Sequence, residues 1–585
     1  MPTTFADRVH DPDRRGSKVW STPLRALFLG WLCAFLIGAG WAVASPMSSS
    51  PDEPSHILKA EATVRGQFTG EPSKFAGRTY VEVPTDLADP GGDFTCYVFH
   101  WDVTAACVPA QSTANNDTEV ERTTGVGDYN PLYYAVVGWP SLVVDGNAAW
   151  FGMRLMSALL NGFFIGILFF VAAQLKRSPA FLGWVAVALT PMTLYLTGMV
   201  NPNSAEITGA AALAALSWLV VWDTTRAHLG SRMALIAFVG IICGNARALS
   251  PLYVALILVA VLITFPLRRS ADLLRRPAVY VGLGIGALGL VAAGLWTLLI
   301  SGPAGFIPTD TPRDGFVRAF VQTLRTTSEY GRMMIGRLGW LDTPLPGIVY
   351  VGWTAVIGFL VVAVVIVGLR RATLGALLLM VALVFVPAVV QAPSVQTFGY
   401  IWQGRYTLPV FVAMILVAGL VAERYTLRSI DPTRIVVVLT SAAVLAQFAA
   451  WFTTYKRYAV GLPGSWRDLL HPTQWSPPGG LVGTTAVFTL GTVGMCVLSI
   501  LVSRSVARQA ESDGLAQWAP AGGAPSAAAP AADAPTVAAP AVGAPAAAAP
   551  VRDAGPTAPQ GQVDGAGHTD LPDAGRPGHA DVAAR

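Results

Sequence analysis

The chain has 585 residues, of which 53% are hydrophobic and 13% charged, and its formal net charge is +4. Soluble domains carry about 25% charged residues, so this composition excludes an ordinary soluble protein. The basic residues are spread over many short segments instead of forming one patch, which argues against a nucleic-acid partner. The sequence therefore predicts an all-α, polytopic membrane protein.

Long apolar runs define the predicted membrane helices. A helix of about 20 apolar residues crosses a bilayer, because unpaired backbone groups are not tolerated in hydrocarbon. Twelve runs fit this expectation, and they are 24–45, 151–174, 180–199, 206–222, 233–244, 249–267, 278–300, 347–369, 373–391, 406–422, 433–452 and 481–503. The fifth is short, and it could form a broken or re-entrant element with the sixth across "CGNARALSP".

The first run has two readings. It follows several basic residues and ends in Ala42-Val43-Ala44, which is similar to a signal-peptidase site. The apolar core of a signal peptide is about 7 to 15 residues long, and this run is longer. A retained first membrane helix is therefore favoured over a cleaved signal peptide.

Basic residues in the short connections predict the orientation. Each of six connections carries at least two of them, namely 176–179, 223–232, 268–276, 370–371, 423–434 and 504–508. Under the positive-inside rule these connections and both termini are cytoplasmic. The outer loops are then 46–150, 301–346, 392–405 and 453–480, and we expect a multi-pass protein of the cell inner membrane.

The same pattern predicts three parts of the chain. Residues 1–23 form a cytoplasmic segment, 24–505 the membrane domain, and 506–585 a tail rich in Ala, Pro and Gly. The tail has no aromatic residue after Trp518 and no periodicity, so it is predicted to be disordered and cytoplasmic.

Charged residues gather just after the first run, in "PDEPSH". If Pro54 opens a short helix, Asp52 or Glu53 caps it and His56 lies on its first turn, and capping alone is one interpretation. The alternative is catalytic. A carboxylate at the membrane surface can act as general base towards a hydroxyl, or hold a divalent cation such as Mg or Mn, with His56 binding substrate.

The same outer loop contains aromatic residues and two cysteines. Tyr133 and Tyr134 lie in "GDYNPLYYAVVGWPSLV", which predicts an interfacial helix whose rings could also stack on sugars. Cys96 and Cys107 form a disulfide if the loop faces an oxidising compartment, and are otherwise free thiols.

The loop 301–346 contains "EYGRMMIGRLGWLDTPLP". Its candidate residues are Arg332 and Arg337, for a lipid-linked phosphate, and Trp340 and Asp342, for substrate. Guanidinium groups beside apolar residues suit a phosphate at a membrane surface, whereas the competing interpretation is a solvated charged loop.

The segment "YIWQGRYTLPV" begins the tenth run. Arg405 lies on the predicted outer side, where the positive-inside rule does not explain it, next to Gln403 and Tyr406. Snorkelling of the side chain to the interface is one reading. The other is a donor-phosphate ligand, with Gln403 and Tyr406 as substrate contacts.

Four segments, "PDEPSH", "YNPLYY", "GWLDTPLP" and "QGRYTLP", resemble in order a family of bacterial multi-pass proteins of unknown function. That family is in turn similar to the type C glycosyltransferases. The resemblance covers about residues 24 to 505. It implies transfer of a sugar from a polyprenyl-phosphate donor to a cell-envelope glycan or lipid, with Asp52 as base or metal ligand, Glu53 as its neighbour and Arg405 on the phosphate.

Several type C enzymes carry a carbohydrate-binding domain after the last helix. This sequence has only the predicted tail there, so acceptor recognition is expected from the outer loops. A transporter or flippase for a lipid-linked glycan is the alternative function. Acidic residues are nearly absent from the interiors of the predicted helices, which argues against ion or proton relays.

Overall fold

The computed structural model describes residues 22–75, 77–88, 94–108, 118–222, 228–301, 314–471 and 473–515. The predicted cytoplasmic segment 1–23 and the predicted disordered tail therefore lie almost wholly outside the described residues.

Helices dominate the described part of the chain. They are α1 (Pro23–Ala44), α2 (Glu53–Val64), α3 (Thr85–Ala88), α4 (Leu132–Val137), α5 (Gly146–Ala172), α6 (Phe181–Ala188), α7 (Pro191–Thr197), α8 (Pro202–Trp222), α9 (Leu229–Gly244), α10 (Ser250–Ile263), α11 (Leu267–Leu274), α12 (Pro277–Leu299), α13 (Phe316–Arg325), α14 (Thr327–Gly336), α15 (Gly347–Val367), α16 (Arg371–Phe398), α17 (Gly404–Tyr425), α18 (Pro432–Val460) and α19 (Gly480–Ser512).

Nine of the helices within these ranges are long and apolar enough to cross a membrane. They are α1, α5, α8, α12 and α15 to α19. The shorter apolar helices α9 and α10, of 16 and 14 residues, replace the fifth and sixth runs, and residues 245–249 join them. All twelve predicted runs are thus helical, which confirms an all-α, polytopic membrane protein.

One predicted helix is divided in two. The run 180–199 forms α6 and α7, which are separated at Leu189 and Thr190. Pro191 has no N–H to donate and its ring clashes with the preceding turn, so it begins a new helix. The Thr190 hydroxyl caps that helix by accepting from the Thr193 N–H at 3.2 Å.

Several other boundaries differ from the predicted ones. Helix α5 begins before residue 151, while α16 continues to Phe398 through Pro387 and Pro393. Helix α18 extends to Val460, and α13 and α14 occupy part of the loop 301–346. Polar residues near helix ends do not stop a helix when backbone hydrogen bonds continue, so hydropathy alone misplaced these ends.

The core lies around α8 and α17. Every described residue of the most apolar window of α8 is buried, as is 94% of the window of α17, whereas only 17% of the window of α12 is buried. Apolar side chains such as Leu288 and Leu298 point outward from α12. That distribution is typical of a bundle with central helices and a lipid-facing periphery.

Close packing of α1 on α5 sets the position of the first loop. A Cβ on Gly38 would lie 2.8 Å from the Ala158 Cβ, and one on Gly166 would lie 2.7 Å from the Leu27 carbonyl oxygen. Only glycine permits this approach. The two pairs also show that the helices run antiparallel, so the end of α1 lies beside the beginning of α5.

The first loop contains strands that the sequence did not predict. β1 (Glu71–Pro72), β2 (Thr79–Pro84) and β3 (Glu119–Thr124) form an antiparallel sheet in that order, with Val81 opposite Arg122. A second ladder pairs β4 (Arg337–Leu338) with β5 (Thr343–Pro344). The two-residue strands β1, β4 and β5 are too short to show a period. β2 and β3 have six residues each, and a search for long apolar runs does not detect them.

The bundle has two ends of different character. One end is formed by residues 45–52, 245–249 and the beginning of α17. It is named the site end, because the candidate functional site described below lies there. The 22 residues of α17 span about 33 Å, so its last turn lies at the other end. There the connections 173–180 and 423–431 meet the end of α19, and this is named the basic end. Lys176 and Asp513 pair there at 2.7 Å.

Candidate functional site

The turn between α1 and α2 is buried and tightly bound. Ser48 and Asp52 both adopt positive φ, at 59° and 65°, which is rare for residues with side chains. Surrounding side chains hold the turn. The Trp340 indole donates to the Ser48 carbonyl oxygen at 2.7 Å, and the Tyr195 hydroxyl donates to that of Ser49 at 2.7 Å.

Glu53 and Arg154 form a fully buried ion pair. Nε and Nη2 of Arg154, on α5, donate to the two carboxylate oxygens at 2.8 and 2.7 Å, and both side chains have no exposed area. Arg154 also donates to the carbonyl oxygens of Ala42 and Ser45, and Glu53 accepts from the Val200 N–H. Since both carboxylate oxygens are occupied, this pair fixes the turn.

Asp52 forms the second pair, with Arg405. The Arg405 guanidinium, 1% exposed, donates to the Asp52 carboxylate and to the Pro51 carbonyl oxygen at 3.1 Å. The carboxyl group of Asp52 is half exposed, at 49%. The structure thus brings together a carboxylate from near the beginning of the chain and a guanidinium from the beginning of α17, and only the carboxylate faces solvent.

Neighbouring charges set the ionisation of this pair. Burial alone would raise the pKa of Asp52, but Arg405, His56 and Arg247 together hold that pKa below its ordinary value. Burial lowers the pKa of His56 to about 3, against the opposing attraction of Asp52. At neutral pH the site therefore contains a carboxylate and a neutral imidazole.

A second guanidinium, Arg247, lies beside the pair. It sits between α9 and α10, 4.2 Å from the centre of the Tyr406 ring, and donates to the Asn203 side chain at 3.0 Å. Arg247 is not among the site residues predicted from the sequence. A single arginine in a connection predicted to be outside is the signal that could have identified it.

Arg247 borders an open cavity of about 640 Å³. Part of its wall comes from α8, α10, α16 and α17, and the lining includes Tyr129, Glu206, Tyr253, Gln391, Trp402 and Tyr406. Gln391 holds one side of this wall, because its side chain accepts from the Trp402 N–H at 2.7 Å and donates to the Gly399 carbonyl oxygen at 2.6 Å. The cavity therefore has one guanidinium and several aromatic rings.

The tyrosines predicted to bind substrate are buried. Tyr133 is 1% exposed and Tyr134 has no exposed area, so neither ring presents a face to a sugar. The Tyr133 hydroxyl accepts a hydrogen bond from the Asn201 N–H at 3.0 Å, and the Tyr134 hydroxyl lies 2.8 Å from Nδ1 of His56. Both tyrosines therefore pack beneath the site instead of facing its open side. His56, also predicted to bind substrate, is buried as well, at 4% exposed.

The predicted phosphate-binding arginines of α14 and its end make other contacts. Arg337 pairs with Glu329, and the Arg332 guanidinium lies 5.1 Å from the centre of the Tyr350 ring. Neither is bonded to Asp52 or Arg405 in the described structure. Their placement supports a local role in α14, which packs against the beginning of α17 at Gly404.

Asp342 belongs to a separate anchor. Arg457, on α18, is fully buried and donates to the Asp342 carboxylate at 3.2 Å and to the carbonyl oxygens of Tyr97 and Val103. Cys96 and Cys107 are joined by a disulfide in the same loop. Arg457, which sequence analysis missed, thereby ties this loop to the bundle.

The other predicted substrate contacts lie close to the pair. Tyr406 is partly exposed and lines the cavity, whereas the Gln403 side-chain oxygen is buried with no hydrogen-bond partner among the described residues. Trp340 is partly exposed above the turn. Gln403 and Tyr406 lie at the beginning of α17, whereas Trp340 lies between β4 and β5 and contacts the turn 45–52.

A divalent cation does not fit the predicted acid pair. Both Glu53 oxygens bind Arg154, and Asp52 lies against a guanidinium that would repel a cation. Within the described ranges, no three His, Cys, Asp or Glu side chains converge as a metal site. The two neighbouring acids of the sequence point in different directions and cannot chelate one ion.

The profile of a family described as predicted membrane protein, DUF2142, matches residues 35–416. The chain belongs to this family. The match spans most of the membrane helices and contains Asp52, Arg154, Arg247 and Arg405, whereas Arg457 lies beyond it. Comparison with curated proteins and with solved structures found no match.

Membership of DUF2142 supports a multi-pass membrane protein and association with the lipid bilayer. It assigns no reaction. The features that bear on function are therefore the exposed carboxylate, the two guanidinium groups and the adjoining cavity.

Proposed function

We propose that this DUF2142 protein is a membrane glycosyltransferase. It takes a sugar from a polyprenyl-phosphate donor and transfers it to a cell-envelope glycan or lipid, with the site end on the outer side of the inner membrane. The observation that carries this proposal is the half-exposed Asp52 carboxylate held by Arg405 beside a cavity that contains Arg247.

The reaction needs a proton acceptor and a positive group. The acceptor hydroxyl oxygen forms a bond to the anomeric carbon, and its proton passes to the Asp52 carboxylate. The bond from that carbon to the phosphate oxygen breaks, and its electron pair stays on the phosphate. A carboxylate accepts the proton, and guanidinium groups stabilise the charge that develops on the leaving phosphate. Inversion at the anomeric carbon is expected by analogy with type C enzymes.

Arg247 is the first candidate for the phosphate. It makes no ion pair with an acid in the described structure, and its side-chain contacts are with Asn203, Tyr129 and the ring of Tyr406. Glu206, the nearest buried acid, accepts from Ser250 and Asn203 instead. An anionic donor would therefore find Arg247 available, and Arg405 could bind the same phosphate from the side of Asp52.

The two acids take different roles in this proposal. Asp52 faces solvent and acts as the base, whereas Glu53 positions the turn through Arg154. His56 and Tyr134 form a neutral hydrogen-bonded pair next to Asp52 and set the polarity of the site. No step requires a metal ion.

Purified full-length protein in liposomes, supplied with labelled polyprenyl-phosphate sugars and envelope acceptors, tests the function. We expect a covalent product in wild type, and at least about a tenfold loss of donor affinity in Arg247→Gln. Arg434→Gln is the matched control, because Arg434 is exposed and pairs with Asp431 elsewhere.

The result that would overturn the proposal is transport without chemistry. If the donor accumulates across the vesicle membrane and no covalent product forms with any donor, the transporter or flippase interpretation replaces the enzyme. If product forms equally in wild type and Arg247→Gln at limiting donor, the activity stands but Arg247 is not its phosphate ligand.

A further inference from the structure

Arginines without acidic partners converge at the basic end, far from the candidate site. Arg177 comes from the connection between α5 and α6, and Arg424 and Arg428 come from the end of α17 and the residues after it. None of the three forms an ion pair with a carboxylate in the part of the chain that the structure describes. Three guanidinium groups therefore present uncompensated charge in one place.

Two open cavities adjoin these arginines. They measure about 1290 and 870 Å³, and both are lined by Arg177, Arg424 and Leu515. Lys176 also borders the larger cavity, but it pairs with Asp513. Glu423 borders the smaller cavity and accepts a hydrogen bond from the Ala180 N–H at 2.8 Å. Asp513 is thus engaged by Lys176, and one carboxyl oxygen of Glu423 is engaged by a backbone N–H.

Arg424 is held in place by an aromatic ring. Its guanidinium lies 4.5 Å from the centre of the Trp222 ring, and Trp222 donates to the Thr264 hydroxyl at 3.3 Å. Trp218 stacks on Trp222 at 5.5 Å. A cation over an aromatic face keeps its N–H donors free at the edge, where they can bind an anion.

The larger cavity also has an apolar wall. Trp218, Leu219 and Leu420 line it together with Arg177 and Arg424, whereas Arg428 borders the smaller cavity. Trp222 is the last residue of α8 and Arg424 lies in the last turn of α17, so the site is at the ends of membrane-spanning helices. Phosphate headgroups lie at that depth, with their acyl chains beside the helices.

We propose that Arg177, Arg424 and Arg428 form a binding site for the phosphate group of an anionic lipid. Guanidinium groups bind phosphate oxygens through two parallel hydrogen bonds. In a zwitterionic headgroup the choline cation offsets the phosphate charge and is repelled by the three guanidinium groups, so an anionic lipid is favoured. The apolar wall favours a lipid over free inorganic phosphate, because only a lipid also contacts Trp218 and the leucines. This site is independent of the proposed sugar transfer.

Lipid retention measured by native mass spectrometry tests the site. Full-length protein in neutral detergent is supplied with phosphatidylglycerol, phosphatidylcholine or inorganic phosphate. We expect wild type to retain phosphatidylglycerol at least about tenfold more than phosphatidylcholine, and excess inorganic phosphate not to displace it. The triple variant Arg177→Gln, Arg424→Gln, Arg428→Gln should lose this preference.

A matched triple variant controls for charge alone. Arg275→Gln, Arg276→Gln, Arg434→Gln removes three exposed positive charges from connections predicted on the same side, and it should keep the preference. The single variant Arg428→Gln changes an exposed side chain, so the fold should be unaffected. It should weaken the retention of phosphatidylglycerol, in the same direction as the triple variant of the site.

Three outcomes would overturn the proposal. The first is an equal loss of phosphatidylglycerol in the control triple variant, which would show that overall surface charge, and not the site, retains the lipid. The second is full retention in Arg428→Gln and in the site triple variant. The third is displacement of the lipid by inorganic phosphate at equal concentration, which would identify a soluble anion as the ligand.

Discussion

The buried ion pair inside the bundle and the partly exposed ion pair at its site end contain adjacent acids, Glu53 and Asp52, which differ in their access to solvent. Glu53 and Arg154 have no exposed area, and every carboxylate oxygen and most guanidinium N–H groups are bonded. Asp52 is half exposed, although its partner Arg405 is buried. A buried pair supports structure, whereas a half-exposed one can still meet a substrate. Exposure, and not residue type, separates the two roles.

Breaking the buried pair should produce the largest change. Arg154→Gln leaves the Glu53 carboxylate buried without its cation, and such a loss costs about 3 to 5 kcal/mol. We expect a severe drop in thermal midpoint and in yield of folded protein, measured by intrinsic fluorescence in detergent. Asp52→Asn is the comparison. It leaves the buried Arg405 guanidinium without its carboxylate, but the side chain at position 52 is half exposed and the asparagine oxygen can still accept from Arg405, so the loss of stability should be smaller than in Arg154→Gln. Equal destabilisation by both variants would contradict the distinction.

The exposed pair should matter most for the proposed chemistry. Asp52→Asn removes the proton acceptor and should lower sugar transfer at least about 100-fold, with the fold retained. The initial rate of product formation in liposomes measures this. Asp314→Asn is the control, because Asp314 also pairs with an arginine, Arg318, at 3.2 Å. Undiminished transfer in Asp52→Asn would remove Asp52 from the mechanism.

Arg457 extends the comparison to a third buried arginine. It bonds the disulfide loop and Asp342, so Arg457→Gln should detach that loop at a cost of about 1 to 3 kcal/mol. Faster limited proteolysis within residues 96–107 and a lower thermal midpoint are the expected results. Arg467→Gln changes an exposed arginine of the following loop and should have neither effect.

The smallest expected effect concerns pH. Burial lowers the pKa of His56 from 6.5 to about 3, so the unfolded state binds more protons between those values. Stability should therefore fall as the pH is lowered from about 6.5 towards 3. His56→Gln should flatten this dependence of the thermal midpoint. An identical slope in variant and wild type would show that other groups carry the acid sensitivity.

Asp52 and Arg405 could be identified from the sequence, but the buried arginines that hold the turn and the disulfide loop in place were missed. Arg154 was available as a single charge inside an apolar run, which is a signal for a buried partner or a functional site. Arg457 lies just beyond the predicted eleventh run and offers no comparable pattern. Tyr133 and Tyr134 have the pattern of exposed interfacial rings, yet both are buried, Tyr133 against Ser157 and Asn201 and Tyr134 against His56 on α2.

The sequence by itself determined the class of the protein and the twelve helical runs. These features depend on hydrophobic length and backbone chemistry, which are local. The tertiary structure alone decided which of two adjacent acids faces solvent. It also brought Arg405, from the beginning of α17, and Arg247, from the connection between α9 and α10, close to Asp52. Such contacts join residues up to 353 positions apart, and no local pattern encodes them.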